Sequence, residues 1–421
     1  MAILKHIILF FLPFAGCKYE NGQPTPAEGD PAALWKVIGP GGGGGIFLPT
    51  ISPFNENLVL THCDMTGAYI SDDGGNDWRM FNLWTVPNDF EFDPVDSNII
   101  YTATHGYRYS EDRGSGLSML FRSDDRGKHW KIVYPDVGNI KKSISHLQNH
   151  DLLPSQIIEG AFDGSIEKVE VDPLDHRRIY LGLSPLQSLM SPGNGNVMDS
   201  VLLVRSADGG NTWKKLASLP GQHLKAIFPG TEAHSQQLLV FTNKCMAQVN
   251  KDNGAVTIDP LPDEQVIGVE GSKETIYFQA RLTDKDGQVK GGMYVSRDWG
   301  STWKQSNDGL FNDLIAGSVY AFARGLAVCE AAPDVAYISA FGKTGKGEKN
   351  DPVYSIFKTI NGGVTWDPVL LSSRNGYITH NYEGAWLDHS YGPGWGGSPF
   401  GLGVAPNDPD ICYAVDNGRC Y

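Results

Sequence analysis

The stretch Ser71–Trp78 reads SDDGGNDW, and its pattern Ser-x-Asp-x-Gly-x-x-Trp recurs along the chain. In such a pattern the Ser and Asp side chains bond backbone N–H groups of a tight turn, Gly supplies a positive φ, and Trp packs between neighbouring sheets. The other copies are SDDRGKHW from Ser123, SADGGNTW from Ser206, SRDWGSTW from Ser296 and the variant TINGGVTW from Thr359, with Asn361 in place of the Asp. The repeat predicts a series of stapled β-hairpins.

A second repeated element consists of two apolar strands joined by a short turn. Its instances are ISPFNENLVL (51–60), FEFDPVDSNIIY (90–101), VEVDPLDHRRIY (169–180), LAVCEAAPDVAY (326–337) and LGVAPNDPDICY (402–413). Together the two elements give four antiparallel strands per repeat, which is the blade of a β-propeller. We predict an all-β, seven-bladed propeller over residues 33–421, with a degenerate blade near 222–260. Its last blade is expected to be closed by the N-terminal segment Leu34–Ile38 or to be incomplete.

The composition agrees with many short strands and turns, since the 421 residues include 50 Gly, 25 Pro and 10 Trp. A formal net charge of −14 argues against a nucleic-acid partner, because phosphate binding needs a Lys/Arg surface. We expect a monomer that binds a polysaccharide or oligosaccharide.

The N-terminus carries Lys5, an apolar run from Ile7 to Phe14, and then Ala15-Gly16-Cys17. This resembles a bacterial lipoprotein signal over residues 1–16, with Cys17 as the lipidation site; an ordinary cleaved signal peptide is the alternative. Residues 17–32 are rich in Pro, Gly and Glu and predict a flexible tether. The expected location is the outer membrane, cell surface or periplasm, with the lipid anchor as the only membrane contact.

The long inserted segments all fall between second and third strands or between blades, which places them on one face of the propeller. They are 106–118, 134–164, 184–200, 282–291, 341–352 and 372–396. Long loops on a rigid scaffold are where binding and catalysis usually occur. Aligning the second strands puts Asp64, His105, Ser184, Phe341 and Asn417 around the rim of the central channel on that face. These residues either share a pocket or satisfy loop backbone.

The segment 374–396 concentrates aromatic and ionisable side chains in one loop: Arg374, His380, Glu383, Trp386, Asp388, His389 and Trp395. Flat rings stack on sugars while charged groups bond hydroxyls, so the loop predicts sugar binding; a self-packed loop is the alternative. No cofactor is expected. Asp416 and Asn417 could hold calcium, but two oxygen ligands are too few to predict a metal site.

From Trp35 to Leu83 the chain resembles the opening of the two-propeller xyloglucanases: a Trp strand, a Gly-rich turn, a Pro-containing strand, then Asp64 followed by small residues and Tyr69. The repeated turn resembles the Asp box, or BNR repeat, of those enzymes. The resemblance implies that Asp64 is catalytic, as acid/base or nucleophile. Those enzymes draw their second carboxylate from a second propeller, so Asp388 or Glu383 would have to serve here.

The chain is also similar to seven-bladed lyases of uronic-acid polysaccharides. Elimination needs a cation or acid beside the uronate carboxylate and a base for the C5 proton. His62, His105, Tyr107 and Arg108 could furnish those groups on one face.

Three functions follow from these patterns. We expect first an exported enzyme that cleaves a plant- or algal-type polysaccharide by glycoside hydrolysis. The alternatives are a uronate lyase that uses His105 with a Tyr or Arg, and a non-catalytic propeller that binds glycan or protein.

Overall fold

The computed structural model describes residues 35–36, 38–40, 44–64, 67–83, 86–110, 114–116, 118–136, 140–143, 156–158, 162, 164–185, 199–285, 288–310, 321–343, 352–373, 376–377, 401–416 and 420. Across these ranges the regular elements are β-strands, apart from a short 3-10 helix at Glu232–His234. No helix in this part of the chain is long and apolar enough to cross a membrane.

Within the described residues, six antiparallel sheets of four or five strands form the body of the propeller, and each is one blade. Blade 1 contains β1 (Ile46–Ile51), β2 (Val59–Cys63), β3 (Gly67–Ser71) and β4 (Arg79–Asn82). Blade 2 contains β5 (Pro87–Phe92), β6 (Ile100–Thr104), β9 (Leu120–Ser123) and β10 (Lys131–Tyr134), with the hairpin β7 (Tyr107–Ser110) and β8 (Gly114–Gly116) inserted after β6. A second hairpin, β11 (Ile140–Ser143) and β12 (Gln156–Ile158), precedes blade 3.

Blade 3 contains β13 (Ser165–Val171), β14 (Ile179–Ser184), β15 (Ser200–Ser206) and β16 (Lys214–Pro220). Blade 4 contains β17 (Leu224–Pro229), β18 (Gln237–Thr242), β19 (Met246–Asn250) and β20 (Val256–Asp259). Blade 5 contains β21 (Val266–Ser272), β22 (Thr275–Lys285), β23 (Gln288–Ser296) and β24 (Lys304–Gln305). Blade 6 contains β25 (Ala321–Val328), β26 (Ala336–Lys343), β27 (Pro352–Thr359), β28 (Asp367–Ser373) and β29 (Gly376–Tyr377).

A two-stranded sheet of β30 (Gly401–Ala405) and β31 (Asp408–Val415) lies between blade 6 and blade 1. The first strands touch in a closed circuit from β1 through β5, β13, β17, β21, β25 and β30 back to β1. Apolar side chains fill the space between successive blades, as where Tyr101 and Leu120 of blade 2 meet Ile166 and Leu183 of blade 3. The core is therefore a ring of inter-blade layers, and the fold is an all-β propeller.

The prediction of seven blades is wrong, because the described residues form six blades, and among them the remaining sector contains the two strands β30 and β31. The repeat element 402–413 specifies those two strands, and no copy of the repeated turn follows it to specify a second pair. Cys420 makes an isolated bridge with Val415, and the N–H of Ile38 donates to the Cys420 carbonyl oxygen at 2.9 Å. The segment expected to close the ring thus meets this sector at Ile38, while Leu34 and Val37 lie outside the described residues.

The five repeated turns share one hydrogen-bond arrangement, illustrated by the copy in blade 3. Ser206 Oγ donates to Asp208 Oδ1 at 2.8 Å and accepts the N–H of Gly210 at 2.9 Å, and Asp208 Oδ1 accepts the N–H of Thr212 at 2.8 Å. Gly209 and Gly210 adopt φ values of 73° and 92°, which favour glycine. Trp213 Nε1 donates to the Val133 carbonyl oxygen on β10 at 2.9 Å, so the turn also ties blade 3 to blade 2.

Replacing Ser206 by Ala is expected to lower the free energy of unfolding by about 1–3 kcal/mol, because the buried N–H of Gly210 loses its acceptor. Ser206→Thr is the matched control, since Thr359 makes the same bonds in blade 6, including one from the N–H of Gly363 at 2.9 Å. Urea unfolding followed by fluorescence measures both variants. Equal stability of the two variants would contradict this role.

The antiparallel first and second strands are oriented in the same way in every blade. The start of the first strand pairs with the end of the second, as in Ile46 with Cys63 and Ser165 with Ser184. We call this end the mouth face and the opposite end, which carries the repeated turns, the staple face. The described strands that flank the predicted inserted segments meet them at their mouth-face ends, in agreement with the sequence-based expectation.

Candidate active site

Asp64 follows β2 directly and is exposed at the mouth face. Its N–H donates to the Gly45 carbonyl oxygen at 3.0 Å, which holds the residue against the Gly-rich run. A Cβ added at Gly44 would lie 2.2 Å from Asp64 Oδ1. The run therefore leaves room for the carboxylate, and this side chain is open to a ligand.

His62 lies one pleat below and is buried. Its ring stacks on Phe47 with 5.3 Å between centroids and meets Phe90 at 6.3 Å, and its Nδ1 is 2.7 Å from the Cys63 carbonyl oxygen. Loss of hydration lowers the pKa of His62 to about 4, so the imidazole is neutral at pH 7. The structure thus places His62 in the packing beneath the mouth face and not on its exposed surface.

His105 occupies the position in blade 2 that Asp64 occupies in blade 1. Its N–H donates to the Val86 carbonyl oxygen at 3.0 Å. Burial lowers its pKa, while the negative charge of Glu167 on blade 3 acts in the opposite direction. Electrostatic repulsion from His105 makes a smaller contribution to the lowered pKa of His62.

The first strands share an irregularity that no residue pattern in the sequence predicts. Each first strand shifts register against its second strand near the mouth, and in blades 2 to 5 a single residue is left over. A β-bulge of this kind leaves one residue unpaired and re-aims its side chain. The bulged residues, which we call the bulge ring, are Asn88, Glu167, Lys225 and Ile267.

Two members of the bulge ring are engaged with the next blade through backbone oxygens. Asn88 Nδ2 donates to the Ile166 carbonyl oxygen at 2.7 Å, and Lys225 Nζ donates to that of Ile267 at 3.4 Å. Glu167 instead faces an imidazole, with its Oε1 3.8 Å from Nδ1 of His223. Asp64, His105, Glu167 and His223 thus all lie near the mouth-face ends of strands, in blades 1 to 4 respectively.

Below the mouth, the first strands carry carboxylates into the central tunnel. Asp89 pairs with Lys168 at 3.1 Å and accepts the N–H of Val169 at 2.9 Å. Glu91 and Glu170 occupy equivalent positions in blades 2 and 3, and burial followed by repulsion between carboxylates raises the pKa of Glu91. Burial likewise raises the pKa of Glu170, while Lys168 opposes the rise.

Because of these tunnel carboxylates, we expect the free energy of unfolding to fall as pH rises. Burial holds the pKa of Glu91, Glu170 and Glu270 above the ordinary value of 4.5, so the folded chain binds protons more tightly than the unfolded chain. The contribution of these groups to unfolding free energy is greatest below pH 4.5 and is lost as pH rises toward their native pKa, with a slope of up to about 1.4 kcal/mol per pH unit for each group.

Glu170→Gln should flatten that slope, because Gln cannot titrate. The matched control is Glu264→Gln, which changes an exposed side chain. Urea unfolding between pH 5 and pH 8 compares the variants. Parallel curves for Glu170→Gln and the native chain would show that Glu170 does not contribute.

Other predicted site residues are placed in part or not at all. Tyr107 and Arg108 lie on β7, paired with Gly116 and Ser115, and only their backbone is described. Ser184 is buried, and its Oγ accepts the N–H of Leu224 at 2.9 Å, so its rim position serves the contact with blade 4. Only the backbone of Phe341 is described. The other predicted residues lie outside the described ranges: Cys17, Arg374, His380, Glu383, Trp386, Asp388, His389, Trp395 and Asn417.

Within the described ranges, no group of three or more His, Cys, Asp or Glu side chains is arranged to hold a metal ion. Asp416 is buried, and its carbonyl oxygen accepts the N–H of Ile46 at 3.0 Å.

Comparison with known proteins relates the chain to xyloglucanases. It is 26% identical to a xyloglucanase of Acetivibrio thermocellus over 381 residues, covering 79% of this chain and 39% of the relative. It is 27% identical to a xyloglucanase of Paenibacillus over 276 residues, covering 62% of this chain and 22% of the relative. The chain thus spans less than half the length of these relatives. No protein-family model matches it.

Solved structures of the same kind share the fold. The GH74 enzyme of Niastella koreensis superposes with a TM-score of 0.60 at 17% identity, covering 91% of this chain and 53% of the other. The GH74 xyloglucanase of Xanthomonas campestris gives a TM-score of 0.57 at 18% identity, covering 91% and 52%. The chain is therefore a β-propeller protein with similarity to GH74 xyloglucanases. These relatives lend no support to the lyase alternative.

Proposed function

We propose that this chain hydrolyses xyloglucan at its mouth face and that Asp64 is a catalytic carboxylate. The observation that carries the proposal is the position of Asp64, exposed beside Gly44 and Gly45 at the rim of the propeller. Similarity to a xyloglucanase over 79% of this chain supports the choice of substrate.

Two finer assignments belong to the same proposal. The five repeated turns are Asp boxes, supported by the identical bonding of Ser or Thr at the first position and Asp or Asn at the third. The loop that contains Trp386 and Trp395 supplies aromatic faces for sugar rings, supported by its composition.

Export as a lipoprotein anchored at Cys17 is proposed from the N-terminal pattern alone. Expression in a bacterial host with radiolabelled palmitate should label the native chain and spare Cys17→Ala. Labelling of both chains, or of neither, would contradict the anchor.

The experiment that tests the function incubates the full chain with xyloglucan, and with unbranched cellulose and a polyuronate as controls. Reducing ends should appear with xyloglucan and not with the polyuronate. Binding of xyloglucan without release of reducing ends would overturn hydrolysis and identify a glycan-binding propeller. Neither binding nor release would overturn the substrate assignment as well.

A further inference from the structure

The peptide group that joins Cys63 to Asp64 has a partner at each of its polar atoms. The N–H of Asp64 donates to the Gly45 carbonyl oxygen at 3.0 Å. At the other end of the same peptide group, Nδ1 of His62 lies 2.7 Å from the Cys63 carbonyl oxygen. The side chain of Asp64 is exposed at the mouth face, so its backbone is restrained while its carboxylate stays open to a ligand.

The contact with the Cys63 carbonyl oxygen also fixes the tautomer of His62. A carbonyl oxygen can only accept a hydrogen bond, so Nδ1 is the ring nitrogen that carries the hydrogen. His62 is 5% exposed, and burial lowers its pKa to about 4 although this hydrogen bond acts in the opposite direction. At pH 7 the imidazole is therefore neutral, and its single N–H is directed at the peptide group next to Asp64.

Two phenyl rings from neighbouring blades pack against the imidazole. Phe47 on β1 stacks on it, with 5.3 Å between ring centroids and 20° between ring planes. Phe90 on β5 of blade 2 meets it at 6.3 Å and 59°. A buried ring packed in this way has few rotamers open to it, so the direction of its N–H is set by the core of blades 1 and 2.

A catalytic carboxylate has to be held close to its productive geometry, because a small displacement costs much of the rate. We propose that His62 is a positioning residue for Asp64, whose Nδ1–H fixes the peptide group from which the Asp64 side chain projects; the inference rests on the proposed function. His62 is buried and acts without touching the sugar, in contrast with the binding role expected from the sequence.

Two substitutions separate the hydrogen bond of His62 from its packing. His62→Phe keeps a planar ring against Phe47 and Phe90 and removes the donor. His62→Asn keeps an N–H donor near the place of Nδ1 and removes most of the ring. We expect His62→Phe to lower kcat on xyloglucan by about 10–100-fold with KM within about twofold of the native value. The kcat of His62→Asn should exceed that of His62→Phe by about tenfold, even though loss of the ring lowers its unfolding temperature.

The hydrogen bond itself can be measured on the native chain without substrate. In a chain with ¹⁵N-labelled histidine, proton–nitrogen correlation spectra at pH 7 distinguish a ring with its hydrogen on Nδ1 from one with its hydrogen on Nε2. The chain has 11 histidines, and either variant identifies the signals of His62 by their loss. We expect a neutral ring with hydrogen on Nδ1, and hydrogen on Nε2 would overturn the inference.

His234→Phe is the matched control. The His234 ring stacks on Trp299 with 5.0 Å between centroids, in the turn between β17 and β18 on the staple face. Replacing it removes an imidazole and keeps the stack, so kcat on xyloglucan should not change. Thermal unfolding verifies that every variant is folded.

The outcomes separate the inference from the function on which it rests. Native kcat in His62→Phe together with loss in His62→Asn would show that only the packing of the ring matters, and would overturn the inference. A rise in KM without a fall in kcat would overturn it as well, because His62 would then contribute to binding. Failure of the native chain to release reducing ends from xyloglucan would overturn the proposed function, whichever tautomer the spectra show.

Discussion

Asp64→Asn is expected to abolish xyloglucan hydrolysis, with kcat lower by about 10²–10⁴-fold. The replacement keeps the shape of the side chain and removes its capacity to accept a proton from water. Because Asp64 is exposed, the variant should unfold at the same temperature as the native chain. Release of reducing ends from xyloglucan measures the effect, and a rate within threefold of the native chain would contradict a catalytic Asp64.

A pair of glycine variants tests the geometry without changing the carboxylate. Gly44→Ala places a Cβ 2.2 Å from Asp64 Oδ1, so the carboxylate must move and activity should fall. The control Gly67→Ala, at the start of β3 on the same face, meets its nearest atom, Cys63 Sγ, at an ordinary 3.4 Å. We expect activity loss in the first variant alone. Equal activity in both would show that the position of Asp64 does not matter.

Lys251→Ala is expected to have the largest effect on stability, lowering the unfolding free energy by about 3–5 kcal/mol. Lys251 Nζ lies 2.9 Å from Asp172 Oδ2, with both side chains almost fully buried, and it also donates to the Gly230 carbonyl oxygen at 2.9 Å. Tyr180 donates its hydroxyl to the same Asp172 oxygen at 3.1 Å. Removing the ammonium group leaves a buried carboxylate without its cation. Urea unfolding measures the loss.

Two further variants show whether charge pairing is the cause. Lys251→Met with Asp172→Asn removes both charges and should recover part of the lost stability. Lys131→Ala breaks an exposed pair with Asp124 at 2.5 Å and should cost less than about 1 kcal/mol. A loss in Lys251→Ala no greater than in Lys131→Ala would contradict a structural role for the buried pair.

The repeated turns could be predicted because each depends on residues within eight positions. Ser206, Asp208 and Gly210 bond one another, so the pattern is visible in the sequence itself. The order of the strands within a blade then predicted which face of the propeller carries the long segments. The number of blades could not be predicted in the same way, since the sector with β30 and β31 depends on contacts between the two ends of the chain.

The site was only partly predictable for a related reason. Asp64 and His105 follow their strands directly, and the structure places both at the mouth. Glu167 was missed because a bulge arises from pairing with β14, which no local pattern records. Glu91 and Glu170 could have been noticed in the sequence, since each stands between two apolar residues, in FEF (90–92) and VEV (169–171). Lys251 was missed because it lies in the degenerate turn of blade 4, which lacks the repeated Ser-x-Asp pattern. There the lysine forms a buried ion pair with Asp172.

The most direct test of the central claim is a crystal structure of the full-length Asp64→Asn variant with a bound xyloglucan oligosaccharide. We expect a sugar chain across the mouth face, with its scissile bond beside position 64. An oligosaccharide seated on the staple face, or on the outer edge of a blade, would contradict it.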